Sequence, residues 1–385
     1  MLSILKKRSF LISIVKSGNE IFSRGYINSS NRILIRSELS AYESATLLYS
    51  DKLRNLENNL ALIEETRVET HKKIIKQMEP RIVKLKNCIC NDKSDIVIGD
   101  PVGVGLVLPN DFVFNLVFVV SGDEIETFGS DFKLNSQFRE GFIDTIINLI
   151  KADKSFWNDK EDTIKVKNRN KILLCFGDKT ELRINFAANN ELRNLNLFRY
   201  YAASDVRFRK LYLYVKMLSL NMKKLGGVKG LLDSHRIFIL VGHFLQTSFG
   251  NQQAVLPVLT DIYSSFLSPN IPTKDVLENL YKPVDVSGIQ PLINPKPLAS
   301  HLVIQFIDYF ANPDSYKSDI YLNKFHPVKE REMIQKSRPR ILNFYTNKRL
   351  CSYDNNLYMF LRCMKNAQKL IKKGHFIDNF SNFYF

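Results

Sequence analysis

The stretch Ile98-Gly99-Asp100-Pro101-Val102-Gly103-Val104-Gly105-Leu106-Val107-Leu108-Pro109-Asn110-Asp111-Phe112-Val113-Phe114-Asn115-Leu116-Val117-Phe118 decides how this chain folds. The β-branched run Asp95-Ile96-Val97-Ile98 leads into it, and a longer apolar and aromatic run, Phe112 to Val120, closes it. Two strands joined by a glycine- and proline-containing loop are therefore expected. Alternate residues of the second strand share a face, so positions two apart there would point at one place.

Working outward, further short strand-like runs follow at Thr163-Ile164-Lys165-Val166, Ile172-Leu173-Leu174-Cys175-Phe176 and Leu182-Arg183-Ile184-Asn185-Phe186, with one helix expected at Phe138 to Lys151. Before them, from Ser40 to about Leu85, leucines and isoleucines recur at helical spacing between charged residues, predicting one long helix or two shorter ones. The heptad breaks early, so packing within the chain is expected rather than a coiled coil. From Leu195 onward helical periodicity returns, broken by loops at 269–274 and 283–298, and the aromatic segment Phe376 to Phe385 is expected to dock. The pattern is α+β: a helical segment over 38–92, a small mixed-sheet domain over 93–190, and a mostly helical domain over 191–385.

The chain carries 55 Lys+Arg against 39 Asp+Glu, a net charge of +16 that favours a polyanionic partner, RNA first. Residues 1–37 read as a mitochondrial presequence: Lys6, Lys7, Arg8, Lys16, Arg24, Arg32 and Arg36 stand against the single acid Glu20, among serines and a short apolar run. The expected location is the mitochondrial matrix, with Arg24-Gly25-Tyr26 a processing point and a net charge of about +10 left after cleavage. The apolar run, Phe10 to Val15, is too short to span a membrane, which takes about 20 residues, so no membrane insertion is expected. Five scattered cysteines form no CxxC pair, and six histidines show no metal-binding spacing, so neither a disulfide framework nor a zinc site is signalled. Gly226-Gly227-Val228-Lys229-Gly230 lacks the phosphate-loop spacing and reads as a helix C-terminal turn.

On its motifs the chain resembles the terminal RNA nucleotidyltransferases, the non-conventional poly(A) polymerases and uridylyltransferases. Gly99 matches the glycine ending the first strand, Gly105-Leu106 the loop Gly-Leu, Pro109 the proline, and Leu116-Val117-Phe118 the following strand. In that family the second strand carries Asp-x-Asp and a later strand a third Asp, because two magnesium ions need carboxylate oxygens to bridge triphosphate and 3'-hydroxyl. Here Asp100 replaces the phosphate-binding Ser. Aligning on Leu116 puts Val113 and Asn115 at the first two metal positions; aligning on Pro109 puts Phe112 and Phe114 there, and starting at Asp111 leaves Val113 second. Arg183-Ile184-Asn185-Phe186 resembles the family's Asp-Ile-Ser-Phe, so Arg183 takes the third position; Glu181 serves only after a two-residue slip.

The resemblance continues through Asn189, Asn194, Asp205-Val206-Arg207, Lys216 and Gly230-Leu231-Leu232-Asp233-Ser234-His235, and covers about residues 70 to 370. It implies nucleotide contacts from Gly99, Asn189, Asn194, Lys216, Ser234 and His235. Basic residues interleaved with aromatics make Arg199, Arg207, Arg209, Lys210, Arg338 and Arg340 RNA-binding candidates, although Asp205 and Arg207 also suit a buried ion pair. The expectation is a catalytically degenerate protein binding RNA, or acting as a scaffold, in a mitochondrial RNA-processing or ribosomal complex, with protein partners and no cofactor. An active enzyme would need Mg2+ and a rearranged site in which Asp111, Glu181 or Asp123 converge. A third possibility is a partner that regulates a separate polymerase through the helix at 40–85.

Overall fold

The computed structural model describes residues 39–108, 113–187, 189–226, 232–249, 253–316, 320–322, 340–346, 348–350 and 355–376. The expected presequence, Asp111, Arg338, the glycine turn after Gly226 and most of the C-terminal aromatic segment lie outside them; Phe376 itself packs edge-on against Tyr49, centroids 6.3 Å apart.

Helix α1 (Ala41–Leu48) starts at a reciprocal cap: the Glu43 amide donates to the Ser40 hydroxyl, and the Ser40 amide to the Glu43 carboxylate. Helix α2 (Ser50–Ile89) follows, 40 residues and so about 60 Å long. Its apolar stripe changes core midway. Leu53, Leu56, Leu60 and Ile63 pack into the helical region, whereas Met78, Ile82, Leu85 and Ile89 pack beneath the sheet. Helix α2 is thus a strut shared by two cores.

The sheet has strands β1 (Ser94–Ile98), β2 (Val113–Val120), β3 (Thr163–Lys167), β4 (Lys171–Cys175) and β5 (Glu181–Asn185) in the order β1-β2-β5-β4-β3. Only β2 and β5 run parallel; the other pairs are antiparallel. One face is apolar: Phe114, Leu116, Phe118, Ile172, Leu174, Leu182 and Ile184 meet the second half of α2 and the stripe Ile143, Ile146, Ile150 of α4 (Ser136–Ala152). Each such side chain, fully buried, contributes about 1.5–3 kcal/mol. Between β2 and α4 lies a helix that periodicity alone does not reveal, α3 (Glu124–Leu134). Its interior Gly129, Ser130 and Asp131 disfavour helix; Phe128 and Phe132 hold it in a cluster with Phe118, Phe142 and Phe186.

The helical region comprises α5 (Asn189–Ser204), α6 (Val206–Gly226), α7 (Ser234–Gln246), α8 (Leu259–Ile262), α9 (Ser264–Leu267), α10 (Thr273–Tyr281), α11 (Ala299–Ala311) and α12 (Asn355–Lys372). Its centre is α11, buried along nearly its whole length. Helix α10, starting inside the loop expected at 269–274, reaches back over the sheet. Val276 and Leu277 pack on Val117, Val119 and Ile125. Polar contacts rim that patch: Lys274 to Asp123 at 2.7 Å, the Tyr281 hydroxyl donating to Asp95 at 2.8 Å, and Thr273 donating to Glu126. The remaining part of the sheet's second face looks into a cleft between the two cores. Among the described residues, no helix is long and apolar enough to cross a membrane.

Candidate nucleotidyltransferase-type cleft

The glycine loop is held from both sides. Gly99 donates its amide to the Asn115 carbonyl at 2.7 Å, joining the end of β1 to β2. At Gly103 an added Cβ would lie 2.2 Å from the Ile98 carbonyl oxygen, so the tight turn requires glycine. Behind the loop, Arg67 of α2 donates to the Gly105 carbonyl at 2.7 Å, and His71 Nε2 lies 3.0 Å from the Val102 carbonyl. Burial, helped by the Arg67 charge, outweighs that hydrogen bond and pushes the His71 pKa down, so the imidazole is neutral and donates.

On the cleft face, Asn115 and Arg183 are cross-strand partners on β2 and β5, as are Val113 and Glu181. The Arg183 guanidinium donates to Asn115 Oδ1 at 3.3 Å, and Asn115 Nδ2 donates to the Asp100 carbonyl at 2.7 Å. The structure thus brings Gly99, Asn115 and Arg183 together, and the parallel pairing of β2 with β5 is what joins residues 68 apart in sequence. Asp100 itself is half-buried. Desolvation, reinforced by Asp233 and Glu191 and opposed by a hydrogen bond from its own amide and by Lys216, raises its carboxyl pKa to about 6. That field also shows what shares the cleft: the start of α5, the middle of α6 and the start of α7 all come near the Asp100 carboxylate.

Lys216 is 5% exposed within α6, and Asn194 of α5 has a buried carbonyl oxygen without a hydrogen-bond partner. Ser234 opens α7 after Asp233, whose carboxylate caps the helix by accepting from the Arg236 amide at 2.9 Å. Next to it His235 stands edge-on to Phe198, centroids 5.0 Å apart, and burial drives its pKa down to about 4. It is a neutral ring at physiological pH. Asn189 goes elsewhere: its amide donates to Glu126 of α3 at 3.0 Å and ties two helices together.

Four RNA-binding candidates have partners inside the fold. Arg207 forks onto Asp205, Nη2 to Oδ2 2.5 Å, and donates to the Pro297 carbonyl. Arg209 donates to Glu64 at 2.7 Å and Lys210 to Glu57 at 3.2 Å, fastening α6 to α2. Arg199 donates to the Asn279 and Lys282 carbonyls at the end of α10. A cation desolvated and paired inside its own fold is not available to phosphate; the Asp205–Arg207 pair is local in sequence, whereas the partners cited for Arg199, Arg209 and Lys210 lie 80 to 153 residues away, beyond any local pattern. Arg340 is half-buried and its carbonyl accepts from the Ile320 amide at 2.7 Å. Asp123 is also removed from the site: β2 separates it from Val113 by about 23 Å, and Lys274 holds it. Among the described residues, no group of three or more His, Cys, Asp or Glu side chains is placed to hold a metal ion.

A mixed sheet with a glycine loop between its first two strands, a cleft face read by β2 and β5, and a helical half closing over it define a nucleotidyltransferase fold of the poly(A) polymerase kind. The structure superposes on that of the non-canonical poly(A) polymerase complex GLD-2 with GLD-3 (TM-score 0.57, 16% identity, 83% of this chain and 95% of that one). It superposes equally on Cid1 bound to the UTP analogue UMPNPP (TM-score 0.56, 15% identity, 85% and 97%). In sequence the chain is homologous to the poly(A) RNA polymerase gld-2 of Caenorhabditis elegans, 29% identical over 151 residues. That match takes in 36% of this chain and 13% of the relative. No family model matches the chain.

Proposed function

We propose that this protein keeps the frame of a terminal RNA nucleotidyltransferase without its two-metal chemistry, and serves as an RNA-binding or scaffold subunit of a mitochondrial RNA-processing or ribosomal complex. The observation that carries this reading is the contact of Arg183 with Asn115 on the cleft face. Magnesium is a hard cation that needs anionic oxygens to sit between two metals and a triphosphate. A valine, a carboxamide and a guanidinium at 113, 115 and 183 do not fit that ion, and a fixed positive charge at the third position repels it. The ionised Asp100 beside the loop would repel a triphosphate in turn. The net charge of +16 supports RNA as the partner, and the GLD-2 complexes with GLD-3 and RNP-8 support a protein partner as well. The mitochondrial setting rests on the basic, serine-bearing residues 1–37.

A second reading, an active poly(A) or poly(U) polymerase, is favoured by the homology to a poly(A) RNA polymerase. It would have to work through Asp111 and Glu181, since Asp123 lies at the far end of β2. Equilibrium binding of ATP and UTP with and without Mg2+ separates the two. Without two-metal chemistry, nucleotide affinity should be unchanged by the metal; a Mg2+-dependent gain of about tenfold or more, equivalent to about 1.4 kcal/mol, would favour the enzyme.

A further inference from the structure

The strand registers set the cleft-face residues in rows that run from the centre of the sheet to its edge. One row reads Asn115, Arg183, Leu173, Lys165; the next starts at Val117, covered by α10, and continues through the buried Asn185 to Lys171 and Lys167. The opposite parity, Ile164, Ile172, Leu174, Leu182 and Ile184, packs on the apolar core side, so the four basic residues all share the cleft face. Arg169, in the turn joining β3 to β4, stands at the tip of the same hairpin. Lys165, Lys167 and Arg169 are exposed and make no ion pair among the described residues. Among those residues, no strand pairs beyond β3, which ends the sheet.

We propose that this face is a track for the backbone of single-stranded RNA, entering over Lys165, Lys167 and Arg169 at the sheet edge and reaching Arg183 in the cleft. The track rests on the RNA-binding reading above and gives it a location. Two strand spacings, about 10 Å, separate Lys165 from Arg183, a span that long flexible cations cover without a gap. Leu173 and Asn185 between them are buried, each 4% exposed, so the cations that flank them, and not the strand between, would touch the RNA backbone. Glu191 lies 3.7 Å from Lys171, a loose pair at a half-exposed site that is weakly held in water. Arg183, with a single long bond to Asn115, keeps most of its guanidinium donors for a phosphate at the inner end. Arg199, Arg207, Arg209 and Lys210 turn inward to partners within the fold, whereas Lys165 and Lys167 alternate with Ile164 and Val166 on β3, an edge strand exposed at four of its five positions.

The test uses the full-length protein and a labelled single-stranded RNA of about 15 nucleotides, with Kd measured across a range of KCl concentration. The variant Lys165→Ala, Lys167→Ala, Arg169→Ala is compared with Lys72→Ala, Lys73→Ala, Lys76→Ala on the exposed side of α2. Three lost phosphate contacts should flatten the slope of log K against log salt by about 2 and weaken binding about 50-fold at 0.15 M salt. The α2 variant should stay close to wild type. If wild type binds RNA and both variants behave alike, the track is refuted while the RNA-binding reading stands. If wild type binds no RNA, that reading fails first and the track falls with it. An RNA duplex of matched length serves as a second probe: if the hairpin variant weakens duplex and single strand in equal measure, the face is a general polyanion surface and the single-strand track is refuted.

Discussion

Replacing Asp100 by asparagine is expected to stabilise the protein at neutral pH and to do far less in mild acid. The Asp100 carboxyl is half-buried and faces the negative charges of Asp233 and Glu191; a hydrogen bond from its own amide and the charge of Lys216 oppose this only in part, so its pKa rises from 3.8 to about 6. Every tenfold change in proton affinity corresponds to about 1.36 kcal/mol, so ionisation of this group costs the folded state up to about 3 kcal/mol. Solvent at the half-buried group screens part of this, leaving about 1–2 kcal/mol. The direction follows from proton binding: between the two pKa values the native state holds a proton that the unfolded chain has released, so stability falls as pH rises through that window and is level above it. About two-thirds of the change accrues between about pH 4.5 and 7.5. Urea unfolding of wild type and Asp100→Asn at those two pH values measures it, since all other titrations cancel in the difference. The variant should gain about 1 kcal/mol more at the higher pH than at the lower. An equal effect at both, or a loss confined to neutral pH, would refute the placement of Asp100 in this field.

Arg207→Ala should cost about 3–5 kcal/mol in urea unfolding, because it strands a buried Asp205 carboxylate whose side chain is 8% exposed. Gly103→Ala should cost about 2–3 kcal/mol, since its Cβ meets the Ile98 carbonyl at 2.2 Å and backbone has to move; thermal melting checks it. Burial opposes the charge on Glu64, but hydrogen bonds from Arg67 and Arg209 outweigh it and hold its pKa below the usual value. Its contribution is therefore present above about pH 4.5 and lost as pH falls through the lowered value, and Glu64→Gln should speed amide exchange in the α2 segment around Arg67 at neutral pH.

All five strands were legible in the sequence to within a residue or so; Thr163 to Lys167 and Glu181 to Asn185 alternate apolar with polar residues. Val113 to Val120 and Lys171 to Cys175 are continuous or nearly so because both of their faces are covered. Helix α3 was not legible: its propensity is poor, and aromatic packing on Phe118 of β2, Phe142 of α4 and Phe186, just past β5, holds it in place. The centre of the site was legible through Gly99, Asn115 and Arg183, whose spacing follows a pattern. Its rim was not. Asp205, two residues away, marks Arg207 as a paired cation in the sequence itself, but Arg209 and Lys210 look like any basic residues on a helix, and only the tertiary partners Glu64 and Glu57 show them to be structural. The basic hairpin is visible in sequence only as a strand, because the face its charges present depends on register with β4 and β5.

The central claim is that the cleft has the fold of a polymerase without two-metal chemistry. Its most direct test is a tailing assay on purified protein with an RNA primer, labelled ATP and UTP, and Mg2+ or Mn2+, with Arg183→Ala as control. Neither protein should extend the primer, and RNA retention should weaken as salt rises. Robust metal-dependent tailing by the wild-type chain would contradict the claim.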